Sequence, residues 1–170
     1  MDFRTAKLTD LPQLKSVFKA IIENMNDNNV PIWDDIYPCE FFEEDIKNEQ
    51  LYVLTENGVI VSAFALCSSN SGENAVKWHL PAKNSLYLDR FGVNVNYLRK
   101  GIGSLMLEKA KEAAKAKGAD NLRLFVVDIN KPAMRLYEKN GFVKADGVYD
   151  EIIDDDLTLR EFGYEKSFDK

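Results

Sequence analysis

The sequence predicts a single α/β domain whose sheet combines antiparallel and parallel strands. Two β-prone runs flank Asn57-Gly58, a residue pair that favours the tight turn of an antiparallel hairpin. Further along, an apolar β-prone run, a glycine turn, a helical run and the strand 121–128 follow one another. Two strands joined by a crossover helix in this way lie parallel, in a right-handed unit. The 170 residues suffice for one domain, residues 1–170, with a substantial core.

The composition argues against several classes of protein. The formal net charge is −6, whereas general nucleic-acid binders gain affinity by neutralising phosphates. Two cysteines and one histidine are too few ligands for a zinc site, so we expect no metal. The apolar runs are too short to span a membrane, and the first residues lack the apolar core of a signal peptide. We therefore expect a cytoplasmic protein with neither a nucleic-acid nor a membrane partner.

The first elements are predicted from local patterns. Residues 2–7 alternate enough to form a strand. Thr9-Asp10-Leu11-Pro12 combines a capping residue with an early proline, which is typical of a helix start. Apolar residues then recur at helical spacing to about Asn24, and residues 40–48 resemble a second, short helix.

Residues 30–38 contain two prolines and two large aromatic residues, and we expect no regular structure there. Trp33 and Tyr37 have two interpretations. They either wall a substrate pocket or attach the loop to the core.

A long polar connection, residues 68–84, follows the hairpin. Connections of this length inside a compact domain are often lids or substrate walls. Trp78 is therefore a candidate pocket residue. His79 is either a base or a solvated or structural side chain.

The strand 86–95 leads into Leu98-Arg99-Lys100-Gly101-Ile102-Gly103-Ser104, where a helix begins. Its two glycines can adopt backbone angles closed to other residues and let a ligand approach the main chain. The helix start offers unpaired N–H groups and the positive end of the dipole, and Arg99 and Lys100 add charge. The stretch predicts an anion site, with an ordinary strand–helix turn as the alternative. Its spacing excludes a P-loop and a dinucleotide fingerprint.

A compact helix is predicted between Asn130 and Gly141, with an asparagine cap, an early proline and a terminal glycine. Asn130, Met134 and Tyr137 share one face of this helix because they recur at i, i+4 and i+7. Residues 142–149 and 157–168 are predicted to form a closing strand pair around an acidic, solvated loop at residues 154–156.

Together, the glycine turn and the Asn130 helix resemble the GNAT family of N-acetyltransferases, in a bacterial form. The family's motif Gln/Arg-x-x-Gly-x-Gly/Ala corresponds to residues 98–103, although Leu98 stands where Gln or Arg is usual. The second motif corresponds to Asn130, Ala133 and Leu-Tyr-Glu-Lys-Asn-Gly-Phe at residues 136–142. The resemblance is strongest over residues 86–142.

The resemblance implies a mixed central sheet of about six to seven strands with helices on both faces. The parallel pair, strands 86–95 and 121–128, would be splayed, with the pantetheine of acetyl-CoA in the gap. The residues implied to bind acetyl-CoA lie on the first of these strands, in the glycine turn and at the later helix cap: Phe91, Val93, Arg99, Lys100, Gly101, Ile102, Gly103, Ser104 and Asn130.

The implied chemistry is direct attack of an amine on a thioester, with Tyr137 protonating the leaving thiolate. A thiol titrates near 8.5 and a phenol near 10, so unaided transfer is uphill by roughly 2 kcal/mol and needs a preorganised hydrogen bond. The alternative for Tyr137 is an ordinary half-buried tyrosine. Asp89 is the candidate base unless it pairs with Arg90, and His79 and Tyr52 are weaker candidates.

The favoured acceptor is a primary amine of a small molecule or amino-acid derivative, and a homodimer is left open. One alternative is a protein acetyltransferase acting on lysine or an N-terminus, which a shallow open groove would favour. The other is a non-catalytic acyl-CoA sensor, which would bind acetyl-CoA without releasing thiol.

Overall fold

The structure is a computed structural model that describes residues 1–168, within which the chain forms eight strands and four α-helices. In chain order these are β1 (Asp2–Thr5), α1 (Leu11–Asp27), α2 (Phe42–Lys47), β2 (Leu51–Glu56), β3 (Val59–Cys67), β4 (Ser85–Val93), α3 (Ile102–Ala116), β5 (Asn121–Val127), α4 (Lys131–Lys139), β6 (Val143–Lys144), β7 (Tyr149–Asp154) and β8 (Leu157–Ser167).

The described chain divides into two compact units. The first unit comprises residues 1–66 and 90–109, and the second comprises residues 67–89 and 110–168. The strand order is β1-β2-β3-β4 in the first unit and β4-β5-β8-β6 in the second, where β7 also pairs with β8. β4 and β5 are parallel, from Ser85 opposite Asn121 to Leu88 opposite Leu124. The pairs β1–β2, β2–β3, β5–β8 and β7–β8 are antiparallel, which confirms the predicted mixed sheet.

In the first unit, α1 packs directly on the backbone of β4. Leu14, Phe18, Ile21 and Ile22 of α1 are buried, and the Phe18 ring contacts the Phe42 ring edge-on at 4.8 Å between centroids. A Cβ atom at Gly92 would lie 2.8 Å from the Phe18 ring and 2.9 Å from Ile21 Cδ1. The glycine therefore permits a close helix–strand contact that sets the position of the second half of β4.

In the second unit, the core lies around β5, whose near-continuous apolar run is largely buried as predicted. The Tyr87 and Tyr164 side chains are almost wholly buried in the same unit. Gly163 on β8 leaves room for an aromatic ring, because a Cβ atom there would lie 2.9 Å from the Trp78 indole.

The hairpin at Asn57-Gly58 is confirmed, and residues 30–38 contain neither helix nor strand. α1 continues to Asp27, three residues beyond the predicted end. The predicted strand at residues 142–149 is confirmed only in part: β6 lies within it and pairs with β8, but the strand does not continue to residue 149. The hairpin partner of β8 is β7, which begins where the predicted strand ends, because Gly147 with φ +89° interrupts the run. β7 is largely exposed, with Ile152 77% accessible, so it lacks the alternation that marks a half-buried strand.

Within residues 1–168, none of the helices combines the length and the apolar character that crossing a membrane requires. The same residues contain no group of three or more histidine, cysteine, aspartate or glutamate side chains arranged to hold a metal ion.

Candidate active site

The chain that leaves β4 is anchored to β3 by Asn94, a buried residue that the sequence-based prediction missed. Its backbone N–H donates to the Val61 carbonyl at 2.8 Å, and its Nδ2 donates to the Ile60 carbonyl at 2.9 Å. Its Oδ1 accepts from the Asn96 backbone at 3.0 Å, which caps the 3-10 turn Val95–Tyr97. An asparagine directly after a strand is a capping signal that could have identified it.

Two residues of the glycine turn have left-handed backbone angles, Arg99 with φ +61° and Gly101 with φ +77°. The space above Gly101 is open, since a Cβ atom there would meet no atom within 4 Å. α3 then begins at Ile102, and the Leu105 N–H donates to the Gly101 carbonyl at 3.1 Å. Because the first N–H groups of a helix lack intrahelical acceptors, this geometry fits an anion such as a pyrophosphate.

The side chains around this turn contribute positive charge. Arg99 and Lys100 are exposed, and the Lys100 ammonium lies 5.2 Å from the centroid of the Tyr97 ring. Leu98, at the position where the family usually has Gln or Arg, is 42% exposed. The positively charged side chains of this turn are therefore those of Arg99 and Lys100.

The end of β4 carries the other two candidate acetyl-CoA residues of the first unit. Phe91 and Val93 are half-buried, and the Phe91 ring contacts the Phe64 ring edge-on at 6.5 Å between centroids. Between them, the Gly92 carbonyl accepts a hydrogen bond of 2.7 Å from the Ser62 hydroxyl. The first unit thus brings Phe91, Val93 and the glycine turn together on consecutive segments.

Trp33 and Tyr37 lie in the first unit, both half-buried. Trp33 stacks on Phe18 with ring centroids 5.6 Å apart, and Tyr37 meets Phe41 edge-on at 5.3 Å. The loop is ordered by the Asp34 carboxylate, which accepts from the Tyr37 N–H at 2.7 Å. Trp33 is thus attached to the core through the buried Phe18, whereas the Tyr37 ring packs on Phe41, which is exposed. Both rings remain partly exposed, so both interpretations stay open.

Trp78 lies in the second unit and is built into its packing. The indole N–H donates to the Glu73 carbonyl at 2.9 Å, and the Arg123 guanidinium lies 4.5 Å from the ring centroid. Tyr87 and Phe125 contact the ring edge-on. Trp78 is therefore positioned by contacts within its own unit.

The predicted cap and shared face of α4 are confirmed. The Asn130 side chain accepts from the Ala133 N–H at 3.3 Å. Met134 and Tyr137 are both buried, so the polar side of the helix faces away from them. The Asn130 Oδ1 is used by the cap, which leaves the amide N–H₂ of the same side chain as its other hydrogen-bonding group.

Tyr137 is 8% exposed, with its ring near those of Phe142 and Tyr164, at 5.9 and 6.2 Å between centroids. Burial raises the pKa of its hydroxyl well above the ordinary value of 10, and the Asp89 carboxylate raises it further. The hydroxyl has no hydrogen-bond partner within residues 1–168. At neutral pH it is a protonated donor that the fold itself does not use, and the second unit brings it near Asp89.

Two carboxyl groups, those of Glu151 and Glu161, interact with each other, and Glu161 also interacts with Asp89. This pair was not identified from the sequence. Burial raises the pKa of Glu161 to about 8, and a hydrogen bond with Glu151 and the charges of Glu151 and Asp89 act in the same direction. Asp89 also accepts a hydrogen bond of 3.3 Å from the Asn70 amide. The glutamates are ten positions apart and meet only through the β7–β8 register, which pairs Tyr149 with Glu161.

The two weaker candidates for the base have other contacts. His79 Nε2 lies 3.2 Å from Asp146 Oδ1, and its imidazole is 39% exposed. Tyr52 lies in the core of the first unit, stacked on Phe3 with ring centroids 5.5 Å apart and on Phe64 at 5.4 Å.

We expect Glu161→Gln to make stability less dependent on pH. The unfolded glutamate titrates near 4.5 and the folded one near 8, so between these values the native state holds a proton that the unfolded state releases. The contribution of Glu161 to stability is therefore fully present below pH 4.5 and is lost as the pH rises to 8. In thermal unfolding at pH 5 to 8.5, the Tm of the variant should increase relative to that of the wild type as the pH rises. If Tm depended on pH in the same way in the variant and the wild type, the raised pKa of Glu161 would be contradicted. Glu40→Gln, a change at an exposed glutamate, serves as a control.

The model of the acetyltransferase (GNAT) family matches residues 18–142 of the chain. YwnH of Bacillus subtilis is 26% identical to this chain over 146 residues, 85% of each chain. Its name gives it as a provisional phosphinothricin acetyltransferase. Thialysine N-epsilon-acetyltransferase of Bos taurus is 44% identical over 57 residues, 34% of each chain. A GNAT family acetyltransferase structure from Streptococcus agalactiae has the same fold, with a TM-score of 0.80 at 18% identity, covering 99% of this chain and 96% of that one. Since the family model spans well over half of the chain, this protein belongs to the GNAT acetyltransferase family and is an acetyl-transfer enzyme.

Proposed function

We propose that this enzyme transfers the acetyl group of acetyl-CoA to a primary amine of a small molecule or amino-acid derivative by direct attack. The observation that carries the proposal is the glycine turn, where two left-handed residues and open space precede the start of α3. The names of two relatives, phosphinothricin and thialysine acetyltransferase, point to small molecules as acceptors.

Acetyl-CoA supplies an activated acyl thioester. Main-chain N–H groups between Arg99 and Ser104, which include those of Lys100, Gly101, Ile102 and Gly103, donate to its pyrophosphate, and the Arg99 and Lys100 side chains neutralise the charge. Main-chain groups of Phe91 and Val93 bind the pantetheine, and one N–H polarises the thioester carbonyl. The amide N–H₂ of Asn130, whose oxygen caps α4, donates to the cofactor arm.

Tyr137 assists the departure of the CoA thiolate. As the C–N bond forms and the C–S bond breaks, negative charge develops on sulfur, and the phenol donates a hydrogen bond to it. Full proton transfer from an ordinary phenol to a thiolate is uphill by roughly 2 kcal/mol. The raised pKa of Tyr137 makes it still less favourable. The hydroxyl therefore acts as a fixed donor rather than as a strong acid.

Asp89 accepts the proton of the attacking amine. An alkylammonium titrates near 10.4, so freeing it at pH 7 costs about 4–5 kcal/mol. Desolvation of the ammonium reduces this cost, whereas a nearby carboxylate favours the charged amine and contributes by binding it and by receiving its proton. Asp89 and Glu151 each interact electrostatically with Glu161 in the second unit, and the negative charge of these two carboxylates suits a cationic acceptor. Trp33, Tyr37 and Trp78 are the aromatic residues assigned to the acceptor pocket.

The test is a panel of small amines, amino-acid derivatives and lysine-containing or free N-terminal peptides, with acetyl-CoA as donor and thiol release as readout. We expect the highest kcat/KM with a small amine. A clear preference for peptides would replace this proposal with a protein acetyltransferase. A rise in Tm with acetyl-CoA, without thiol release on any acceptor, would indicate a sensor instead.

A further inference from the structure

The middle of β4 has an unusual backbone conformation, at a residue that also makes a buried ion pair. Arg90 has φ +51°, a region that long side chains rarely adopt. Its guanidinium donates to both carboxylate oxygens of Asp45, from Nε at 2.7 Å and from a terminal nitrogen at 2.8 Å. The two side chains are only 9% and 3% exposed. This two-point geometry fixes the orientation of the arginine as well as its charge.

Further contacts complete the surroundings of this pair. Asp45 lies in α2 and also accepts a hydrogen bond of 2.7 Å from the Gln50 amide. The Arg90 guanidinium lies 5.0 Å from the centroid of the Phe41 ring, which precedes α2. Such a buried pair adds little stability over a well-packed apolar pair, so stability alone is a weak reason for it.

The residues after Arg90 are held from a second side. The Ser62 hydroxyl donates to the Gly92 carbonyl, and Asn94 makes two hydrogen bonds to the backbone of β3. Residues 91–93 therefore lie between two anchors, the ion pair before them and the β3 contacts beside and after them. These are the residues whose main chain is assigned to the acyl donor.

We propose that Asp45 and Arg90 are positioning residues, whose ion pair maintains the left-handed residue in β4 and so orients the main-chain groups of residues 91–93 toward the acyl donor. The inference rests on the proposed function, since it requires acetyl-CoA to bind along β4. It also assigns α2, which contributes no residue to the proposed chemistry, a role in donor binding.

The decisive variant is Asp45→Leu/Arg90→Met, which replaces the pair with apolar side chains of similar size and leaves no buried charge. We expect a Tm close to that of the wild type, with kcat/KM for acetyl-CoA at least tenfold lower and KM for the amine unchanged. Arg90→Lys keeps the charge but loses the two-point hydrogen bond to the carboxylate. Its kcat/KM for acetyl-CoA should lie between those of the wild type and the Leu/Met variant. The control is Glu43→Gln/Lys47→Gln, which removes the exposed ion pair of the same helix and should leave kcat/KM unchanged.

Wild-type kcat/KM in a folded Leu/Met variant would show that the pair is only structural and would overturn the inference, while the proposed function would stand. If that variant does not fold, Arg90→Lys decides: a kcat/KM for acetyl-CoA below that of the wild type with retained Tm supports positioning, and wild-type kcat/KM refutes it. Wild-type protein that neither binds acetyl-CoA nor releases thiol would instead refute the proposed function itself.

Discussion

Tyr137→Phe should lower kcat for acetyl transfer by roughly 10²- to 10³-fold, the range typical of a lost hydrogen-bond donor to developing negative charge. The variant keeps the ring contacts with Phe142 and Tyr164 and removes only a hydroxyl without a hydrogen-bond partner within residues 1–168. Stability should therefore be retained, since no hydrogen bond within the fold is lost with the hydroxyl. Steady-state thiol release and thermal unfolding measure the two effects separately.

Tyr164→Phe is the matched control because Tyr164 is also buried in the second unit, but its hydroxyl donates to Glu138 at 2.9 Å. Removing that hydrogen bond should lower the free energy of unfolding by about 1–3 kcal/mol and leave kcat nearly unchanged. A wild-type kcat in Tyr137→Phe would show that the Tyr137 hydroxyl takes no part in the reaction.

Gly103→Trp should abolish binding of CoA while leaving the fold intact. Gly103 lies in the first turn of α3, two residues after the left-handed Gly101, where a large side chain occupies the space needed by a pyrophosphate. Helix stability should not suffer, because glycine is the poorest helix former apart from proline. Calorimetric titration with CoA measures the affinity, and the Tm reports the fold.

The control for this variant is Lys115→Trp, an equally bulky change at an exposed position twelve residues later in the same helix. It should bind CoA as the wild type does. An unchanged dissociation constant for CoA in Gly103→Trp would mean that the glycine turn is an ordinary strand–helix connection.

The parts of the fold that local patterns encode were predicted correctly. The Asn57-Gly58 hairpin, the apolar face of α1 and the Asn130 cap each depend on residues close together in the chain. The longer strand paired with β8 was missed because β7 is a largely exposed edge strand, whose sequence lacks an apolar–polar alternation. The family was identified for a similar reason, since both of its motifs are short and contiguous.

The sequence by itself determined the mixed fold class, the glycine turn before α3 and the family. Only the tertiary structure brought Asp45 to Arg90, Asn94 to β3, and Glu151 with Glu161 to the neighbourhood of Asp89. Each of these contacts joins residues ten or more positions apart through strand register or helix packing. Side-chain charge and hydrogen-bonding capacity are visible in a sequence, but burial and proximity, which decide pKa and orientation, arise only when the chain is folded.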